Sequence, residues 1–60
     1  MEKQYKVSFI VEGYSTPSQH IFDLREIADE NGIINNMKVF EVVKQHYTHV
    51  VEVVKIEPYG

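Results

Sequence analysis

The sequence predicts an α+β domain of order β-α-β-β, with a three-stranded sheet and one helix packed on one face. Three stretches carry that expectation. Residues 5–12 alternate apolar and polar side chains, and residues 16–31 carry an apolar stripe of helical period behind a cap. Residues 37–57 hold two near-copies of one phrase, VFEVVK and VVEVVK, on either side of a polar break.

In YKVSFIVE, Tyr5, Val7, Phe9 and Val11 share one face of an extended chain, while Lys6, Ser8, Ile10 and Glu12 share the other. This is the pattern of a half-buried strand, and Gly13 with the polar residues after it ends it. Over 16–31, Thr16 is an N-cap, Pro17 stands at the first helical position and Gln19 completes a capping box. Ile21, Leu24, Ile27 and Ala28 then fall within an arc of about 120°, with Gln19, Asp23, Glu26 and Glu30 opposite. Asn31-Gly32 supplies a left-handed stop. Phe22 does not fit, because it projects about 100° from Ile21 on this wheel. An alternative begins the helix at Asp23, with Glu26 closing the box, and makes 18–22 a short strand beside the first. That alternative explains Phe22, but proline at N1 behind a threonine cap favours the longer helix.

Residues 33–36 form a connection. β-Branched runs around the tip Gln45-His46-Tyr47-Thr48-His49 then read as a hairpin of strands 37–44 and 49–57, stopped by Pro58. A right-handed crossover makes the first two strands parallel. The valine-rich third strand lies between them, giving the order 1-3-2.

Sixty residues make one domain. A fold of this size buries only about 60% of the surface that its unfolded chain exposes, so it leans on staples or partners. The absence of cysteine excludes disulfides and thiolate zinc sites and suits a reducing, cytoplasmic setting. MEKQYK leads directly into a strand, so neither a signal peptide nor a membrane span is expected. A net charge of −3, from six Lys/Arg against nine Asp/Glu, argues against a phosphate-backbone binder.

The functional clue is a surplus of apolar residues. One helix covers one sheet face, yet both faces of the hairpin carry large side chains. Val50, Val54 and Ile56 oppose Val51 and Val53; Val39 and Val43 oppose Phe40 and Val42. With Ile10, the outer set of Phe40, Val42, Val51 and Val53 makes a candidate dimer or partner interface. Alternatively, the N-terminal arm, the 33–36 connection or Tyr59 covers it.

Other candidates are weaker. A symmetric hairpin sets Glu41 opposite Glu52, a paired-carboxylate arrangement that a register slip removes. His46, Tyr47 and His49 crowd the tip, where Tyr47 is a candidate contact anchor; two imidazoles without a third ligand make a poor metal site. His20 reads as a half-buried packing residue. Asp23, Glu26 and Glu30, with Asp29 nearby, form either a solvated face or a dock for a basic partner with Phe22 as its anchor. No nucleophile set, phosphate loop or metal signature stands out, so the expectation is a non-enzyme without cofactor.

In layout the chain resembles small phage-encoded early proteins, such as the RNA-polymerase inhibitors of T7-like phages and the uracil-DNA glycosylase inhibitors of Bacillus phages. The arginines that serve the former family at its last strand have no match, since Val51, Val53 and Lys55 stand there. Phe40-Glu41 is similar to a Phe-Glu pair that lies on a helix in the latter family, whereas here it is assigned to a strand. The resemblance implies a class of proteins that bind and block or redirect a host protein. The expectation is therefore a protein-interaction module, dimeric through the outer sheet face. The alternative is a nucleic-acid binder using the sheet, with Tyr47, His46 and His49 stacking on bases and Lys38, Lys44 and Lys55 meeting phosphates.

Overall fold

The computed structural model describes residues 3–59. It is an α+β fold: strand β1 (Gln4–Val11), strand β2 (Ser18–Asp23), a single helical turn α1 (Leu24–Ile27), the main helix α2 (Asn36–His46) and strand β3 (Val50–Tyr59). The three strands form one antiparallel sheet of order β2-β1-β3. The class, the three-stranded sheet and the single main helix agree with the sequence expectation. The element order and the connections do not.

β1 behaves as its alternation predicts. Val7 and Phe9 are fully buried, and Tyr5 and Val11 pack at the margin of the same core. Its neighbours follow from the register. Tyr5 faces Phe22 and Pro58, Val7 faces His20 and Ile56, and Phe9 faces Ser18 and Val53. Residues facing each other across a ladder share a side of the sheet, so this side is the inner one.

The expected 16–31 helix is absent. Thr16 and Pro17 lie in an exposed bend, and the chain then extends as β2. The alternative that starts a helix at Asp23 is the observed one. Glu26 Oε2 accepts the Asp23 backbone N–H at 2.8 Å, and Ile27 is the one residue of α1 fully buried. Phe22 decides between the two. As a strand residue it faces Tyr5 and is 1% exposed, whereas the long helix turns it away from the apolar stripe. The burial gained by a large aromatic outweighs the local preference of a proline-led helix start. Phe22 is therefore core, not a docking anchor. Asn31-Gly32 does turn the chain through a left-handed residue, Gly32 at φ 78°, but within the connection between α1 and α2 rather than at the end of a long helix. Asp29 organises that loop, its Oδ1 accepting the N–H groups of Asn31 and Ile33 at 2.8 and 3.0 Å.

Residues 37–44 form the greater part of α2, not a strand. Asn35 starts the helix, its Oδ1 accepting the N–H groups of Met37 at 2.8 Å and Lys38 at 3.4 Å. Val39, Val42 and Val43 are buried at the i, i+3, i+4 spacing of a helix face. Val42, expected on the outer interface, is thus in the core at 7% exposure. With 37–44 helical, there is no hairpin over 37–57, no parallel crossover and no 1-3-2 order. β1, not the last strand, is central.

β3 is an edge strand, which is why it can continue through Pro58 to Tyr59 rather than stopping before it. Its register against β1 shifts twice, passing over Val54 between the partners of Ser8 and Phe9, and over Val51 between those of Ile10 and Val11. These bulges change which side chains point inward. Val50, Val53 and Ile56 pack against the core, while Val51 and Val54 are set aside and exposed.

Two stability outcomes follow from these roles. Phe22→Ala is expected to cost about 3–5 kcal/mol, enough to unfold a domain of this size. Asn35→Ala removes the cap of α2 and is expected to cost about 1 kcal/mol. Urea unfolding followed by circular dichroism reads both; a Phe22→Ala variant that stays as stable as the parent contradicts the burial of Phe22.

Candidate protein-interaction surface

Because Val39, Val42 and Val43 take the inward face of α2, Met37 and Phe40 are left one turn apart on its flank. Met37 is 76% exposed, and the half-buried Phe40 carries the Lys44 ammonium over its ring at 5.1 Å from the centroid. On β3 the bulge at Val51 pushes that side chain outward beside them. Asn36, Met37, Phe40, Val51, Glu52 and Val53 line a shallow groove of about 270 Å³ between helix and strand. A second depression shares Asn36 and Val53 with it and runs on past Val54 and Lys55 to Ile56. An apolar cluster, Phe40, Met37, Val51 and Val53, therefore lines the seam between α2 and β3, and exposed Val54 stands in the more polar depression next to it.

The structure brings together three of the expected outer-face residues, Phe40, Val51 and Val53, but along this seam rather than on the sheet's outer face. Ile10 lies on the opposite side of the sheet, level with Glu52. The cluster also includes Met37, with Val54 next to it, both of which the strand reading overlooked. The 37, 40, 44 spacing of Met37, Phe40 and Lys44 is helical and could have revealed the first; the bulge that exposes Val54 leaves no mark in the sequence.

The supposed hairpin tip is the C-terminal end of α2 and the turn after it. Tyr47 is a half-buried structural residue. Its ring lies 4.8 Å from that of Phe9, and its hydroxyl hydrogen-bonds His20 Nδ1 at 2.7 Å. His20 in turn stacks on Phe22 with ring centroids 4.3 Å apart, and the exposed His46 packs against both rings at 5.4 Å. This aromatic group ties the end of α2 to β2. His49 is exposed in the turn at φ 62°, its carbonyl accepting the Glu12 N–H at 2.8 Å. Among the described residues, no three His, Cys, Asp or Glu side chains gather as metal ligands would.

The acidic helix face also dissolves. Asp23 accepts the Gln4 amide at 3.3 Å, Glu26 closes the turn of α1, and Glu30 stands exposed in the following loop. Glu41 is on α2 and Glu52 on β3, so they do not face each other across a ladder as the symmetric hairpin would have placed them. Lys38 and Lys44 are on the helix and Lys55 on β3, so they share no sheet face.

One charged group is organised. Glu57 receives Lys6 at 3.3 Å and Lys55 at 3.4 Å on the outer sheet face. The hydrogen bond from Lys6, and then the nearby charge of Lys55, hold the Glu57 carboxyl below its ordinary value.

Compared with known proteins, the chain matches no family model, no curated protein and no solved structure. No helix among the described residues is long and apolar enough to cross a membrane.

The depressed Glu57 carboxyl has a definite pH signature. Its ionised form favours the fold above the ordinary carboxylate range, and that contribution is lost as pH falls through the folded-state value. A carboxyl-carbon NMR titration is expected to place Glu57 below the free glutamate value. Lys6→Gln moves it up towards that value, and so does added salt; a Glu57 midpoint insensitive to both contradicts the shared pairing.

Proposed function

We propose that this chain is a non-catalytic protein-interaction module that binds another protein along the α2–β3 seam. The observation that carries the reading is the gathering of exposed Met37 and Val51 beside half-buried Phe40 and Val53 around one shallow groove, with exposed Val54 in the adjoining, more polar depression. Single exposed apolar residues are ordinary, but a contiguous cluster with a polar rim is how contact sites are built. The rim here is Asn36, Glu52 and Lys55. Phe40, pinned beneath Lys44, is the central anchor; aromatic side chains held in place before contact lose little entropy on binding.

Small size, mild acidity and lack of cysteine, which the chain shares with small phage-encoded early proteins, extend the proposal to a phage or mobile-element protein acting in the host cytoplasm, where it inhibits or redirects a host protein. The strand-helix-strand-strand layout of the sequence reading does not contribute, because the observed order differs.

The test is affinity capture from host lysate with matched surface variants. Met37→Glu and Phe40→Glu place charge in the groove without touching the buried valines. They are expected to reduce capture at least about tenfold, as loss of a contact anchor does, while the urea midpoint barely moves. A partner retained equally by both variants sinks the seam as the contact surface. Capture of nucleic acid instead, weakening steeply with salt, would point to the phosphate-binding alternative.

A further inference from the structure

We propose that the free edge of β3 pairs antiparallel with β3 of a second copy of this chain, in the register that sets Glu52 opposite Lys55 of that copy. The inference rests on the reading of the α2–β3 side as a contact surface and names the partner for its strand half.

β3 runs for 10 residues and pairs only with β1. Among the described residues nothing pairs with its other edge, which presents a row of backbone donors and acceptors to any strand that fits. Natural edges are usually short or charged along their whole length. This one carries exposed Val51 and Val54, at 56% and 48%.

The charges of β3 favour one register, because among the pairings of Glu52, Lys55 and Glu57 with one another a single one is free of conflict. In a two-fold antiparallel pair, one choice of opposed residues fixes all the others. Setting Glu52 opposite itself, Lys55 opposite itself, or Glu52 opposite Glu57 brings like charges together, which is unfavourable. Setting Lys55 opposite Glu57 forces Pro58, which has no N–H, opposite Val54 inside the ladder. Setting Glu52 opposite Lys55 gives two opposite-charge pairs by symmetry. It also puts Val53 opposite Val54 and Val51 opposite Ile56, so the bulged residues meet apolar side chains. Pro58 then falls opposite His49, just beyond the start of β3, where its missing N–H costs nothing. Bulges and proline restrict edge pairing in general, and on this strand they leave that register open.

The charges within one copy are prepared for it. Glu57 is shared between Lys6 and Lys55, so those three side chains carry one net positive charge beside Lys55. Glu52 makes no ion pair among the described residues. Each copy thus offers a surplus cation and a free carboxylate at positions that interchange under two-fold symmetry, extending the sheet across the junction with both α2 helices on the same face.

Sedimentation equilibrium from micromolar to millimolar concentration tests this. The unaltered chain is expected to dimerise. Glu52→Lys and Lys55→Glu each oppose two like charges across the two-fold axis and weaken dimerisation at least about tenfold, with unchanged circular dichroism. An equimolar mixture of the two single variants restores both opposite-charge pairs, and is expected to form a heterodimer close to the original affinity. A folded chain that stays monomeric throughout overturns the pairing, as does a dimer indifferent to both reversals or unrestored by mixing. Loss of partner capture by Met37→Glu in a monomeric chain would leave the seam as a binding surface and remove only the second copy.

Discussion

Phe9, at the middle of the central strand, is the residue around which the other elements are placed. It is fully buried, with Ser18 beside it in β2, Val53 beside it in β3 and the ring of Tyr47 from the end of α2 stacked near it. A sheet this narrow has only one strand with neighbours on both edges. Once β1 takes that position, β2 and β3 become edges, and one helix of 11 residues suffices to cover the inner face. Among the described residues no further layer covers the outer sheet face, so whatever the helix does not cover stays in contact with solvent or with a partner.

The legibility of this fold in its sequence was uneven, for identifiable reasons. β1 was readable because strict alternation has a single interpretation when one face is buried. The two VxEVVK phrases were not, because nearly identical residues fold as a helix in one case and a strand in the other. What separates them lies outside the phrases. Asn35 caps the first, whereas the second follows His49 in a left-handed turn and finds β1 as a neighbour. Valine favours strands only weakly, and tertiary pairing overrides that preference in either direction. The helix start at Asp23 was visible as a capping box but was outcompeted locally by Thr16-Pro17. Only the need to bury Phe22, a property of the assembled core, reverses that order.

The candidate site shows the same division. Phe40, Val51 and Val53 were recognisable as surplus apolar residues, and they do come together. The surface they form was misplaced because it lies between a helix and an edge strand, not on a sheet face. Val54 joins them only through a bulge, and a bulge depends on how two distant strands share their hydrogen bonds. Tyr47 and His20 are separated by 27 positions and meet only after folding, so a tyrosine that reads as an exposed tip becomes a tie between helix and sheet.

The pairing of β1 with β3 sets Gln4 beside Tyr59. The longest chain segment in the fold must therefore close on itself before the sheet is complete. The β1–β2 hairpin closes a short loop, whereas the β1–β3 pairing closes nearly the whole chain and so carries the larger cost in chain entropy. Until β3 docks, one edge of β1 lies open and Val7, Phe9, Val39 and Val43 lack their final cover. The strand that carries the candidate contact surface is thus also the one whose docking costs the chain the most entropy, so contacts made along β3 bear on the completion of the sheet as well as on binding.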